Sequence, residues 1–178
     1  VALKRKLQYA AEPCSKSNFS ASSYATFRPT WPPHVFRPIL DYHQGPWGLC
    51  LDLGCGNGTI TRQIAAFFTC IIGIDPSASM IEQARASTQA LRISYRIGGA
   101  EDLDFIEDGT VDMVMASQAA HWFDYSKFWP MLARKLRKGG TVAFLGYKEN
   151  VIVGYPEATK VLYRYGYDPT AEFMGPYW

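Results

Sequence analysis

The run Leu49-Cys50-Leu51-Asp52-Leu53-Gly54-Cys55-Gly56-Asn57-Gly58-Thr59 passes from an apolar segment of strand length through three alternating glycines directly into a helical pattern. Glycine lacks Cβ, so the backbone here can take positive φ and lie close against a ligand. The unpaired N–H groups at the helix start that follows then face that ligand. The segment has the build of a nucleotide-binding turn, and the surrounding residues must say which nucleotide.

The rest of the chain repeats the alternation. Strands are predicted at 49–53, 70–74, 93–97, 111–116 and 141–145, and helices over about 59–68, from Ser77 to about Thr88, and over about 124–137. Ser77 suits an N-cap, with Met80, Ile81, Ala84 and Leu91 as the apolar stripe of its helix. In the helix over 124–137, Phe128, Met131, Leu132 and Leu136 read as inward. Lys135, Arg137 and Lys138 favour its C-terminus and Gly139-Gly140 ends it. The segment 111–116 is nearly all apolar, as a strand covered on both faces should be. Strands and helices alternating at this spacing indicate an α/β fold with a doubly wound parallel sheet of about five strands. A helix from Pro33, with Val35, Phe36, Ile39 and Leu40 on one side, precedes the first strand, and one more is read at 156–165. The chain divides into an N-terminal arm (1–32), the α/β core (33–146) and a C-terminal segment (147–178).

With 178 residues, 48% hydrophobic, the chain can bury one proper core. Its formal charge of +2 comes from 18 basic and 16 acidic residues spread along the sequence, which points to neither nucleic acid nor an anionic membrane. Lys4-Arg5-Lys6 reads as a solvated end. No apolar run approaches the roughly 18 residues that would span a bilayer. The four cysteines form no CxxC pair, and the three histidines have no ligand spacing, so no metal site is expected and a reducing, cytoplasmic setting fits best.

Asp75 stands at the end of the second strand, 21 residues beyond Gly54, where an acid can accept hydrogen bonds from both hydroxyls of a ribose. A dinucleotide fingerprint would need a glycine at the position of Thr59, and a phosphate-binding Gly-Lys-Ser/Thr ending is missing. Asp52, behind apolar Leu51, is costly to bury idle; it pairs with loop N–H groups or a cationic ligand, or braces the turn.

Four motifs in order, Leu51 to Gly58, Gly73-Ile74-Asp75, Ala100-Glu101-Asp102-Leu103 and Leu136 to Thr141, resemble those of class I S-adenosylmethionine-dependent methyltransferases. Within that family, Ala116 to Asp124 together with Tyr24 to Pro29 look most like the trans-aconitate methyltransferases and their small-molecule relatives. The resemblance implies a Rossmann-like sheet in strand order 3-2-1-4-5, with S-adenosylmethionine as methyl donor and S-adenosylhomocysteine as product. Asp52 and the glycines would face the methionine end, Asp75 the ribose, and Ala100 to Leu103 the adenine, with Asp102 near its amine. The same resemblance extends the cofactor contacts to Tyr24, Arg28, Gly54, Cys55, Gly56, Asn57, Pro76, Met80, Glu101, Ser117 and Gln118. Asp102 has the alternative of a solvated acidic loop, and Arg28 that of a surface arginine.

Gln118, His121 and Trp122 lie just past the fourth strand, on the side expected for the methyl acceptor. Gln118 and His121 are the catalytic candidates, and His121 and Trp122 the substrate contacts; a structural role for His121 and a pocket wall for Trp122 are the plain alternatives. An ionised carboxylate acceptor would need no base, so a small carboxylic acid suits the site. The family's sheet ends in an antiparallel hairpin beside the fifth strand, and the 33 residues after Leu145 hold no strong pair of alternating strands for one. A fifth strand left as an apolar edge would need covering, by the tail, by further chain or by a second copy. The expected activity is methyl transfer to an oxygen of a small molecule; the alternative is a non-methylating protein that keeps the fold for binding.

Overall fold

The computed structural model describes residues 30–147 and 151–167. The described residues fall into two units that divide after Leu145.

The first unit is a five-stranded sheet, β1 (Leu49–Leu53), β2 (Cys70–Asp75), β3 (Ile93–Ile97), β4 (Val111–Ser117) and β5 (Leu136–Leu145). Its order is β3-β2-β1-β4-β5 with every pairing parallel. Strand order reverses between β1 and β4, which opens a crevice beyond their carboxyl ends. Side chains alternate across the sheet and divide the core in two. Leu51, Leu53, Val114 and Ala116 pack with Phe128 and Leu132 of helix α4 (Tyr125–Lys135). Cys50, Met113 and Met115 pack the other way, with Phe36 and with Ile64 of α2 (Thr59–Ile64). Helix α4 is moored by Phe128, which at full burial contributes about 2 kcal/mol. Helix α3 (Ala78–Ala86) is capped by the Ser77 hydroxyl, which accepts the Met80 N–H, and it seats Ile81 and Ala84 against Tyr95.

Several boundaries differ from the sequence reading. The helix from Pro33 divides into a single 3-10 turn, Pro33–Val35, and α1 (Arg37–Tyr42); the one over 59–68 is α2 followed by a 3-10 turn, Ala65–Phe67. Leu91 is not on the stripe of α3, because the helix ends at Ala86 and leaves that side chain fully exposed. Helix α4 stops at Lys135, and Gly139-Gly140 do not end it. Leu136 already pairs with Val111 and Thr141 with Met113, so residues 137–140 bulge out of β5. Lys135 does not trail toward solvent: its buried ammonium donates to Ile106 O at 2.7 Å and to the Asp108 carboxylate at 2.6 Å.

The bulge has a cause in Asp112. Its buried carboxylate accepts N–H groups of Gly48 and Leu49, both at 2.9 Å, and the Arg137 Nε–H at 2.6 Å. A single side chain thereby ties the amino ends of β1, β4 and β5. A Cβ on Gly48 would stand 2.6 Å from that carboxylate, so the close approach requires glycine. Asp112→Asn keeps one acceptor oxygen and loses the ion pair; it is expected to cost about 1–3 kcal/mol, read as a lower urea midpoint with an unchanged slope.

In the second unit, α5 (Pro156–Tyr167) carries an ion pair between Glu157 and Lys160 at 2.7 Å, and its Thr159 hydroxyl accepts the Ile152 N–H at 2.8 Å. Among the described residues no strand follows Leu145, and no helix is long and apolar enough to cross a membrane.

Candidate active site

At the carboxyl end of β1 the chain turns through Gly54, Gly56 and Gly58 at φ of +70°, +54° and +74°. Two of these glycines are required by packing inside the protein. A Cβ at Gly54 would stand 2.2 Å from the Ala119 methyl carbon, and one at Gly58 would stand 2.2 Å from the Tyr95 hydroxyl. Gly56 differs, since nothing lies within 4 Å of where its Cβ would be.

Asp75 fixes that open turn. One carboxylate oxygen accepts the Gly56 N–H at 2.8 Å and the other the Ser77 N–H at 2.9 Å. Its pKa is raised, chiefly by burial, with the two N–H donors working the other way. Lone pairs beyond those two bonds remain for further donors.

Asp52 is 1% exposed. It makes no bond to loop N–H groups; the Thr61 hydroxyl of α2 donates to it at 2.6 Å. Strand parity is the reason, because Asp52 shares the face of Cys50, onto which α2 packs. Burial lifts its carboxyl to about 6, opposed by the Thr61 hydrogen bond and assisted by the neighbouring Asp75 charge.

The other predicted positions fall at various depths. Cys55 is buried with its thiol 3.6 Å from Gly56 O, and burial raises its pKa well above the usual thiol value. Asn57 Oδ1 accepts the Thr59 hydroxyl at 2.8 Å. Pro76 is exposed, whereas Met80 and Ala100 belong to the core. Asp102 is exposed and accepts the Gly99 N–H at 3.1 Å, and Glu101 accepts the Asp124 N–H at the start of α4 at 2.7 Å. Tyr24 and Arg28 lie outside the described residues.

Beyond β4, Gln118 has φ +55°, the lone non-glycine with positive φ among the described residues. Its N–H donates to Leu145 O at 2.8 Å, while its side-chain Nε2 is buried without a hydrogen-bond partner. Strain of this kind and an unmet buried donor each cost about 1–3 kcal/mol, a combination typical of functional positions. Ser117 Oγ accepts the Trp31 indole N–H at 2.7 Å, which carries the N-terminal chain past this end of the sheet. Exposed His121 and Trp122 follow in a 3-10 turn, Ala120–Trp122, with ring centroids 4.9 Å apart.

Sequence reasoning missed Trp31, Thr61 and Tyr95. The signal for Tyr95 was Gly73 inside β2, since a strand glycine marks a close approach; its Cβ would meet the Tyr95 ring at 2.6 Å. No cluster of metal-ligating side chains occurs among the described residues.

A methyltransferase domain model matches residues 51–144, from β1 nearly to the end of β5. The “Probable S-adenosylmethionine-dependent methyltransferase CRG1” of Saccharomyces cerevisiae is 34% identical over 164 residues, 90% of this chain and 56% of that protein. Methyltransferase gedG of Aspergillus terreus is 35% identical over 129 residues, covering 70% and 40% respectively. A solved structure from Anaeromyxobacter dehalogenans, provisionally assigned as a type II methyltransferase, superposes with a TM-score of 0.64 at 34% identity, covering 78% of this chain and 56% of that one. The chain thus spans about half the length of the proteins it matches. The open Gly56 face, the Asp75 carboxylate and the unmet Gln118 donor fit a cofactor with hydroxyl and carbonyl or carboxylate groups. With the strand order and the sequence matches in agreement, the chain belongs to the S-adenosylmethionine-dependent methyltransferase domain family.

Proposed function

We propose that the chain transfers a methyl group from S-adenosylmethionine to an oxygen, carboxylate or hydroxyl, of a small molecule. The observation that carries this reading is the division of labour in the glycine turn: Gly54 and Gly58 are filled from within, and Gly56, pinned by Asp75, is left open. When bound, S-adenosylmethionine supplies an electrophilic sulfonium methyl. Asp75, which holds the Gly56 N–H, would accept hydrogen bonds from the ribose hydroxyls. Buried Asp52 would serve the cationic end of the donor, and Ala100 to Asp102 would form the adenine side. Gln118 offers its unmet amide donor at the crevice, and His121 and Trp122 line the acceptor side, where proximity and alignment supply most of the rate. A carboxylate acceptor needs no base, which suits a site with no obvious acid–base pair among the described residues. Cys50, Cys55 and Cys70 are free, as a cytoplasmic protein's would be.

The test is incubation with cofactor carrying a labelled methyl group and a panel of small carboxylic acids and alcohols, alongside titration with S-adenosylhomocysteine. Label in an acid-derived ester supports the proposal. Binding without transfer assigns the fold a binding role instead, and no binding removes both.

A further inference from the structure

Behind the glycine turn, away from the open face of Gly56, a chain of polar groups runs from α2 to the turn's own backbone. Arg62 Nη1 donates to Asn57 O at 2.9 Å and to the Thr88 hydroxyl at 3.4 Å. Thr88 Oγ1 lies 3.1 Å from the Tyr95 hydroxyl, which donates to Gly58 O at 3.5 Å. Arg62 has no acceptor and Gly58 O no donor, so the hydroxyl protons must run in one sense: Arg62 to Thr88 to Tyr95 to Gly58 O. The Tyr95 ring also fills the spaces left by Gly58 and Gly73, where a Cβ would stand 2.2 and 2.6 Å away. Arg85 holds Tyr95 in place by donating to its carbonyl at 2.7 Å. Burial raises the phenol's pKa, which keeps it a donor.

We propose that Arg62, Thr88 and Tyr95 are positioning residues that lock the Asn57 and Gly58 carbonyls from behind and thereby hold the Gly56 face in its ligand-ready form. None of them reaches that open face; they act through the turn. Three glycines alternating over five residues would otherwise sample many backbone conformations, and each would have to be given up on binding. The affinity consequence rests on the cofactor reading given above, whereas the effect on the turn itself does not.

Tyr95→Phe and Thr88→Val each remove one hydroxyl with little change of shape. Two measurements on the whole chain decide: affinity for S-adenosylhomocysteine by calorimetric titration, and amide exchange of residues 56–59 without ligand. Losing one link is expected to weaken affinity about three- to tenfold and to speed exchange by a similar factor. Because the bonds act in series, the double variant should be no worse than the more affected single one. Asp112→Asn, at the opposite end of the sheet, serves as the control that lowers the urea midpoint and moves neither readout. Variants that lower the midpoint yet keep wild-type affinity and wild-type exchange in the turn would overturn the proposal. Should the unmodified chain bind no S-adenosylhomocysteine, the cofactor reading fails, and unaltered exchange in the variants would separately sink the brace.

Discussion

Asp52→Asn is expected to make the protein more stable at pH 8 while weakening its hold on the cofactor. The folded carboxyl titrates near 6 against an ordinary value of 3.8, so folding an ionised Asp52 is penalised by up to about 3 kcal/mol. The sign follows from proton binding. Above pH 7 the group is charged in both states and the full penalty applies. As pH falls through 6 the folded state takes up the proton first and stability rises, until the unfolded chain also protonates below about 4. Asparagine has no charge to bury and can still accept the Thr61 hydroxyl. The melting temperature of the variant should therefore exceed that of the parent at pH 8, and the two should converge toward pH 4. Asp75, whose pKa is raised in the same direction, remains in both proteins and largely cancels from the comparison. The role proposed for Asp52, toward the sulfonium end of the donor, predicts as functional counterpart a loss of affinity for S-adenosylmethionine larger than that for S-adenosylhomocysteine, which lacks the sulfonium charge. Equal stability at pH 8 would show that the buried charge is compensated, and equal affinity would remove Asp52 from the cofactor's environment.

The alternation of strand and helix was legible because parallel strands covered on both faces read as nearly unbroken apolar runs, as in Val111 to Ala116. The place of Asp75 at the end of the second strand was legible too, whereas its bonds from the Gly56 and Ser77 N–H groups were not. What the sequence concealed depended on contacts between distant residues. The partner of Asp52 is Thr61, nine residues on, and only the packing of α2 onto the Cys50 face brings the two together. Lys135 looked like a helix-end charge, yet the Ile106 carbonyl and Asp108, more than 25 residues earlier, draw it inward. Gly139-Gly140 looked like a helix stop because nothing local discloses that Asp112 captures Arg137 and starts β5 early. Gln118 read as a candidate by position alone; its positive φ and unmet amide emerge only in three dimensions.

The three glycines of the turn should respond to substitution in opposite ways. Gly58→Ala places a methyl group 2.2 Å from the Tyr95 hydroxyl at φ +74°, so the tyrosine must move and its bonds to Thr88 and Gly58 O must break. Left-handed strain of about 1–2 kcal/mol, overpacking of about 1–3 and the lost bonds together predict a stability loss of roughly 3–5 kcal/mol. Gly56→Ala carries only the strain, about 1–2 kcal/mol, since its methyl group enters open space. The proposed function puts the cofactor against that space, so affinity for S-adenosylhomocysteine should fall at least tenfold, equivalent to about 1.4 kcal/mol. Urea denaturation and calorimetric titration on both variants separate the two effects. A Gly56→Ala protein that binds as tightly as the parent would mean the open face is not the ligand's side of the turn. One as unstable as Gly58→Ala would mean that the turn has no open face at all, and that internal packing, rather than a ligand, accounts for every glycine in it.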